Sequence, residues 1–214
     1  LVLASLASLT WAFAGVLNPA MSQLHAFVSE YSARDQPWRY LFQTTDVIMG
    51  TLLCLAGLAT LVWARHRPLG RQGWSGVGFV AGGFFSVLDA LVTMDCSPTR
   101  SQACMAAEEA GHVSVNHIVH VGTSTIVVVG FALPILLLNS TMTRFRGFGL
   151  VVTWAWVVFT LLNGIGAVGW FVGTPMDYTG IWQRFSLGLG TLWWLILAAD
   201  DIVTARVQDR ARSC

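Results

Sequence analysis

Residues 118–139 read IVHVGTSTIVVVGFALPILLLN, 22 positions without an acidic or basic side chain apart from one His. That length falls inside the roughly 17–25 residues an α-helix needs to cross a bilayer. Working outward, the same kind of stretch recurs at 1–18, 42–64, 74–94, 148–173 and 185–203. The expectation is an all-α protein: a polytopic bundle of six transmembrane helices forming one domain over 1–214. Composition agrees. The chain is 55% hydrophobic and 11% charged, against about 25% charged in an ordinary globular chain, and its mean hydropathy is +0.63.

Segment 1–18 begins without Met, so residues upstream of it are expected. A cleaved signal peptide is the other reading. The segment has no basic n-region, and Trp11, Asn18 and Pro19 fit a cleavage site poorly, so a retained helix is expected. Arginine bias gives the orientation. Arg65, Arg67, Arg71, Arg144, Arg146, Arg206, Arg210 and Arg212 fall on one side of a six-span layout, which puts both termini in the cytoplasm of a bacterial inner-membrane protein. A net charge of +1 offers nothing to nucleic acid. No Lys occurs, so Schiff-base chemistry and a P-loop are excluded.

Cys96 and Cys104 share the loop after the third span, where an oxidising compartment favours a disulfide. Thiolate metal binding is the alternative, without a C-x-x-C spacing to support it. Cys54 reads as a packing residue, and Cys214 carries no signal.

Polar groups inside a span are costly and mark function by default. Ser86, Asp89 and Thr93 recur on one face of the third span, with Asp89 roughly 7.5 Å of helical rise inside its outer end. Asp46 shares a face of the second span with Gly50, Leu53 and Gly57, where the glycines admit close packing. His117 and His120 open the fourth span one turn apart, a spacing that lets two imidazoles share a metal. The alternative set is therefore zinc on His117, His120 and Asp95; the plainer reading is hydrogen bonding to backbone or carboxylate. Trp156, Thr160 and Asn163 share a face of the fifth span. Arg184, at the outer rim, is expected to turn inward as counter-ion of Asp46 or Asp89.

Ten Trp exceed what an interfacial belt needs. Trp38, Trp74, Trp170 and Trp182 fit a belt; Trp154, Trp156, Trp193, Trp194, Phe84 and Phe85 lie deeper. Deep rings beside carboxyls make a pocket for an apolar substrate that becomes cationic, because a desolvated ring face attracts a cation by about 2 kcal/mol.

Three patterns resemble a bacterial six-span family, the domain of unknown function 998. They are Ser29-Glu30-Tyr31-Ser32-Ala33 with Pro37 and Leu41-Phe42; Asp95-Cys96-x-Pro98 with Cys104 and His117; and Gly180-Ile181-Trp182-Gln183-Arg184 with Trp193. The resemblance implies the topology and no chemistry. In size and in acids set beside a greasy pocket the chain also looks like small integral-membrane terpene cyclases, a looser likeness that transfers no residue.

The chemistry expected is acid-initiated cyclisation of a lipophilic, prenylated substrate without a cofactor. Asp89 is the expected proton donor, Asp46, Glu30 and Asp177 the relay, and Ser86, Phe85, Trp156, Asn163, Arg184 and Trp194 the substrate contacts. A zinc-dependent intramembrane hydrolase and a non-catalytic lipid-binding or assembly factor stay open as alternatives. The expected partners are the lipophilic substrate and membrane lipid, and the oligomeric state stays open.

Overall fold

The computed structural model describes residues 1–65, 70–173 and 178–213. Arg67, Asp177 and Cys214 lie outside them. The described residues are helical, without a strand: α1 Val2–Ser8, α2 Ala14–Leu17, α3 Arg39–Ala64, α4 Arg71–Leu91, α5 Gln102–Glu109, α6 Val115–Leu137, α7 Arg146–Phe171 and α8 Thr179–Ser213. Five of these are long and apolar enough to cross a membrane, α3, α4, α6, α7 and α8. The chain is a multi-pass membrane protein.

The first apolar segment differs from a continuous span. It breaks between α1 and α2 into a 3-10 turn at Leu9–Phe13. The Ser8 hydroxyl donates to Ser5 O and the Thr10 hydroxyl to Ala7 O, local bonds that compete with the helix ladder. Ser8 Oγ also lies 2.8 Å from Thr191 Oγ1 of α8, which fastens the break to the bundle. At the other extreme, α8 runs past its apolar stretch, since the tail is rich in good helix formers such as Ala, Arg and Gln.

Glycine explains why α4 sits in the middle. A Cβ on Gly83 would stand 2.5 Å from Gly50 O, and one on Gly57 2.7 Å from Gly76 O, so α3 and α4 approach backbone to backbone. On its other face, a Cβ on Gly78 would meet Gly130 O and Pro134 Cδ of α6 at 2.6 Å. Small residues at helical spacing permit this packing where lipid supplies no hydrophobic drive between helices. Only the α3 glycines were read from the sequence as a packing face.

The core beneath is built on Leu53, Ile135 and Trp193, each fully buried, with Phe131, Trp156 and Trp194 around them. Asn139 organises its polar centre, donating to Ile135 O and Thr153 Oγ1 and accepting from Trp193 Nε1. Asp200 of α8 accepts from the backbone N–H groups of Thr143, Arg144 and Phe145, and so caps the start of α7 from another helix. Neither role was apparent beforehand.

One gap matters for function. Whereas α3 packs on α4, α4 on α6 and α7 on α8, the sequential pair α6 and α7 forms no comparable interface. The two meet through the turn at Leu138–Ser140 and leave a cleft between their other halves.

Candidate functional site

The end of the bundle carrying residues 18–38 and 92–114 is closed by a polar cap. Glu30 is its hub and is fully buried. Its carboxylate accepts from Phe27 N at 2.9 Å, Thr99 N at 3.1 Å, Thr99 Oγ1 at 2.6 Å and Ser97 Oγ at 2.5 Å. Burial pushes its pKa above the ordinary 4.5, against the pull of those four bonds. Asp95 accepts from Ser114 N and Oγ at 2.6 and 2.7 Å and pairs with Arg34 at 3.3 Å. Burial works to raise its pKa, but the Ser114 bonds and Arg34 win and hold it below the ordinary 3.8. The Cys96–Cys104 disulfide forms as expected and closes this loop over α5.

Arg184 turns inward, yet not onto an aspartate. It donates to Ala26 O and Gly180 O at 2.9 Å and to the Tyr31 hydroxyl at 3.3 Å, with its guanidinium over the Tyr31 ring. The expectation of a counter-ion for Asp46 or Asp89 is therefore corrected. Its bond to Ala26 O, in the segment before Glu30, braces the cap to α8, while its Nε is buried without a partner. Val28 N, donating to Gln183 Oε1 next door, does the same.

Below the cap lies a cavity of about 170 Å³ that gathers much of the expected constellation: Asp46, Ser86, Asp89, Trp156 and Trp194 all line it. Phe131 and Trp11 complete the aromatic wall, with Phe131 edge-on to Trp194 at 5.1 Å. Asp46 takes no hydrogen bond among the described residues, and it interacts electrostatically with Asp89. Asp89 is better served. Its Oδ1 accepts from Thr123 Oγ1 at 2.5 Å and Ser124 Oγ at 3.0 Å, with His120 Nδ1 at 3.3 Å. The indole N–H groups of Trp11 and Trp194 are buried without a partner. Trp11 and Phe131 were not read as site residues. One sits in a helix break that periodicity does not reveal, and the other resembles any apolar residue of its span.

A second cavity of about 370 Å³ adjoins the first and shares Ser29, Ser124, Val128 and Gln183 with it. It occupies the cleft between α6 and α7 and contains Glu30, His120 and Asn163. Phe85 lines neither cavity and stacks edge-on with Phe84.

The residues do not fit a zinc site. His117 Nδ1 accepts from Asp95 N at 3.3 Å, whereas His120 Nδ1 faces the carbonyls of Asp89 and Val92 at 3.1 and 2.9 Å. The Nδ1 of each ring is thus spent on backbone and the Nε2 of each is buried without a partner, so a metal on them would still need further donors. Among the described residues no group of three or more His, Cys, Asp or Glu is placed to hold a metal ion.

No curated protein and no solved structure matches the chain. A family model described as "Protein of unknown function (DUF998)" matches residues 1–200, in line with the loop, cysteine and Gln-Arg patterns of the sequence, and the chain belongs to that family.

Proposed function

We propose that the protein is an intramembrane enzyme that cyclises a prenylated, lipophilic substrate by protonating it. The observation that carries this reading is a pair of carboxyls, Asp46 and Asp89, on the wall of one cavity whose remaining surface is largely aromatic and aliphatic. Their surroundings divide the labour. Asp46 has no hydrogen-bond partner and delivers the proton; Asp89, held by Thr123 and Ser124, is the carboxylate that receives one back. This exchanges the roles expected from depth in the span alone.

The reaction balances without an oxidant or a metal. The proton adds to a terminal alkene carbon, or to an epoxide oxygen held by the free indole N–H groups of Trp11 and Trp194. The resulting carbocation is attacked by an internal double bond, which forms the ring. A proton then leaves the cyclised cation for Asp89 and passes from there to Asp46 on the same cavity wall, which restores both acids, so the product is an isomer of the substrate. Phe131, Trp156 and Trp194 offer ring faces to the cation, and stabilisation confined to the charged transition state is what accelerates the step. Residues 2–17 complete a six-helix bundle in the bacterial inner membrane, with the Arg-rich ends in the cytoplasm and the Glu30 cap outside.

The test is incubation of the detergent-purified protein with prenylated phenols and quinones, followed by chromatography for products of unchanged mass. Product from the wild type and none from Asp46→Asn, at equal thermal stability, supports the reading. Wild-type amounts of product from Asp46→Asn or from Asp89→Asn sink it. The alternative of a non-catalytic lipid-binding protein draws on the cleft between α6 and α7, and predicts bound lipid without turnover.

A further inference from the structure

The geometry points to the cleft between α6 and α7 as a binding site for a single-chain lipid alcohol, its hydroxyl held between His120 and Asn163. As a binding site it stands without any chemistry; that this alcohol is the substrate on its way to Asp46 and Asp89 rests on the reading above.

Four observations carry it. The first is access: Val129 and Val168 line the cleft from opposite helices and are 62% and 61% exposed, so its mouth opens on the bundle's flank, where hydrocarbon chains would lie. The second is size and surface. About 370 Å³ falls within the roughly 300–1,000 Å³ of small-molecule sites, and the walls between the helices are Val128, Gly164, Ala167 and their neighbours, which suit a narrow apolar chain.

The third is a pair of unsatisfied polar groups. His120 is 2% exposed, and its Nδ1 is spent on the Val92 and Asp89 carbonyls, which can only accept, so Nδ1 carries a proton. Its Nε2, which in the neutral ring is an acceptor, has no partner, and neither has Asn163 Oδ1. A buried polar atom left without a partner costs about 1–3 kcal/mol, which a ligand can recover. A hydroxyl donates its one hydrogen to His120 Nε2, and its oxygen accepts from the N–H of the Asn163 carboxamide.

The fourth is charge. Among the described residues no arginine lines the cleft, so a phosphate or carboxylate headgroup finds no cation to pair with. Glu30, saturated by its four donors, has no acceptor capacity set aside for an ammonium group. A neutral head also avoids the cost of burying an ion.

Photolabelling of the detergent-purified full chain tests the assignment, with diazirine-bearing geranylgeraniol, its methyl ether, its primary amine and the corresponding carboxylic acid as probes. The alcohol is expected to label peptides of α6 and α7, and the ether, lacking the donor, about tenfold less. Asn163→Leu removes no intramolecular hydrogen bond and should bring alcohol labelling down to the ether's level. Ala167→Trp, which fills the cleft, should remove both. Equal labelling by alcohol and ether, preference for the acid or the amine, or label outside α6 and α7 overturns the site. Should Ala167→Trp fail to fold, the fall in alcohol labelling in Asn163→Leu, set against the wild type, still decides. Labelling is expected to survive Asp46→Asn. Specific labelling in a wild type that forms no product would defeat the cyclase reading and leave the site standing.

Discussion

Glu30 and Asp46 are both acids removed from bulk water in one small protein, and their surroundings are opposite. Four donors converge on Glu30, and the loops that supply them, 27–30 and 97–99, are held together by it. Asp46 faces a cavity with aromatic walls and only the charge of Asp89 for company. A saturated buried acid is a structural pin, because each donor it satisfies is one the fold would otherwise leave bare. An unsaturated acid on a cavity wall is free to exchange a proton with something that enters. The partner list is what separates structure from function in this molecule.

The sharpest way to break that comparison is to neutralise both acids. Asp46→Asn should cut turnover roughly a hundred- to ten-thousandfold, the usual worth of a general acid, with little change in thermal unfolding. Glu30→Gln should do the reverse. Its amide sets N–H groups against donors, which should cost about 3 kcal/mol of stability, read as a lower unfolding midpoint in detergent, with turnover per folded molecule retained. If Glu30→Gln abolishes turnover in protein that is still folded, the cap belongs to the active site and the distinction fails.

A smaller effect probes what holds the cavity wall. Gly83→Ala puts a methyl 2.5 Å from Gly50 O, where backbone cannot yield; overpacking of this kind costs about 1–3 kcal/mol. Because Asp46 and Asp89 ride on α3 and α4, turnover should fall with stability in this variant, unlike in Asp46→Asn. The smallest effect concerns Asp95, whose folded pKa lies below 3.8. A depressed carboxyl contributes stability that is complete above its unfolded pKa and is lost as pH falls through the folded one. The advantage of wild type over Asp95→Asn, about 1 kcal/mol near neutrality, should shrink as pH drops below 3.8. A gap that widens on acidification would show the sign to be wrong.

Much of the architecture was legible because hydropathy is a running property of neighbouring residues. Five expected spans correspond to α3, α4, α6, α7 and α8, with ends shifted by a few residues and α8 longer at both ends. The first segment was legible as apolar but not as broken, since its 3-10 turn depends on Ser8 and Thr10 bonding locally and on Thr191 far along the chain. Periodicity placed Asp46, Ser86, Asp89 and Trp156 on faces that line the cavity, and depth in its span singled out Trp194, which lines it too. It did not supply Trp11 or Phe131, and it misassigned Arg184, because charge invited an ionic partner where geometry supplied carbonyls.

Composition and spacing were thus enough to settle that this chain crosses a membrane several times, where its spans lie and which acids lie within them. These follow from the transfer of each short segment from water to hydrocarbon, a sum over neighbours in sequence. Which acid is saturated, which helices part to leave a cleft and which buried polar atoms stay bare were decided by tertiary structure alone. Those outcomes depend on hydrogen bonds of about 3 Å between groups tens of residues apart, such as Thr99 on Glu30 and Thr123 on Asp89. No local pattern carries that distance.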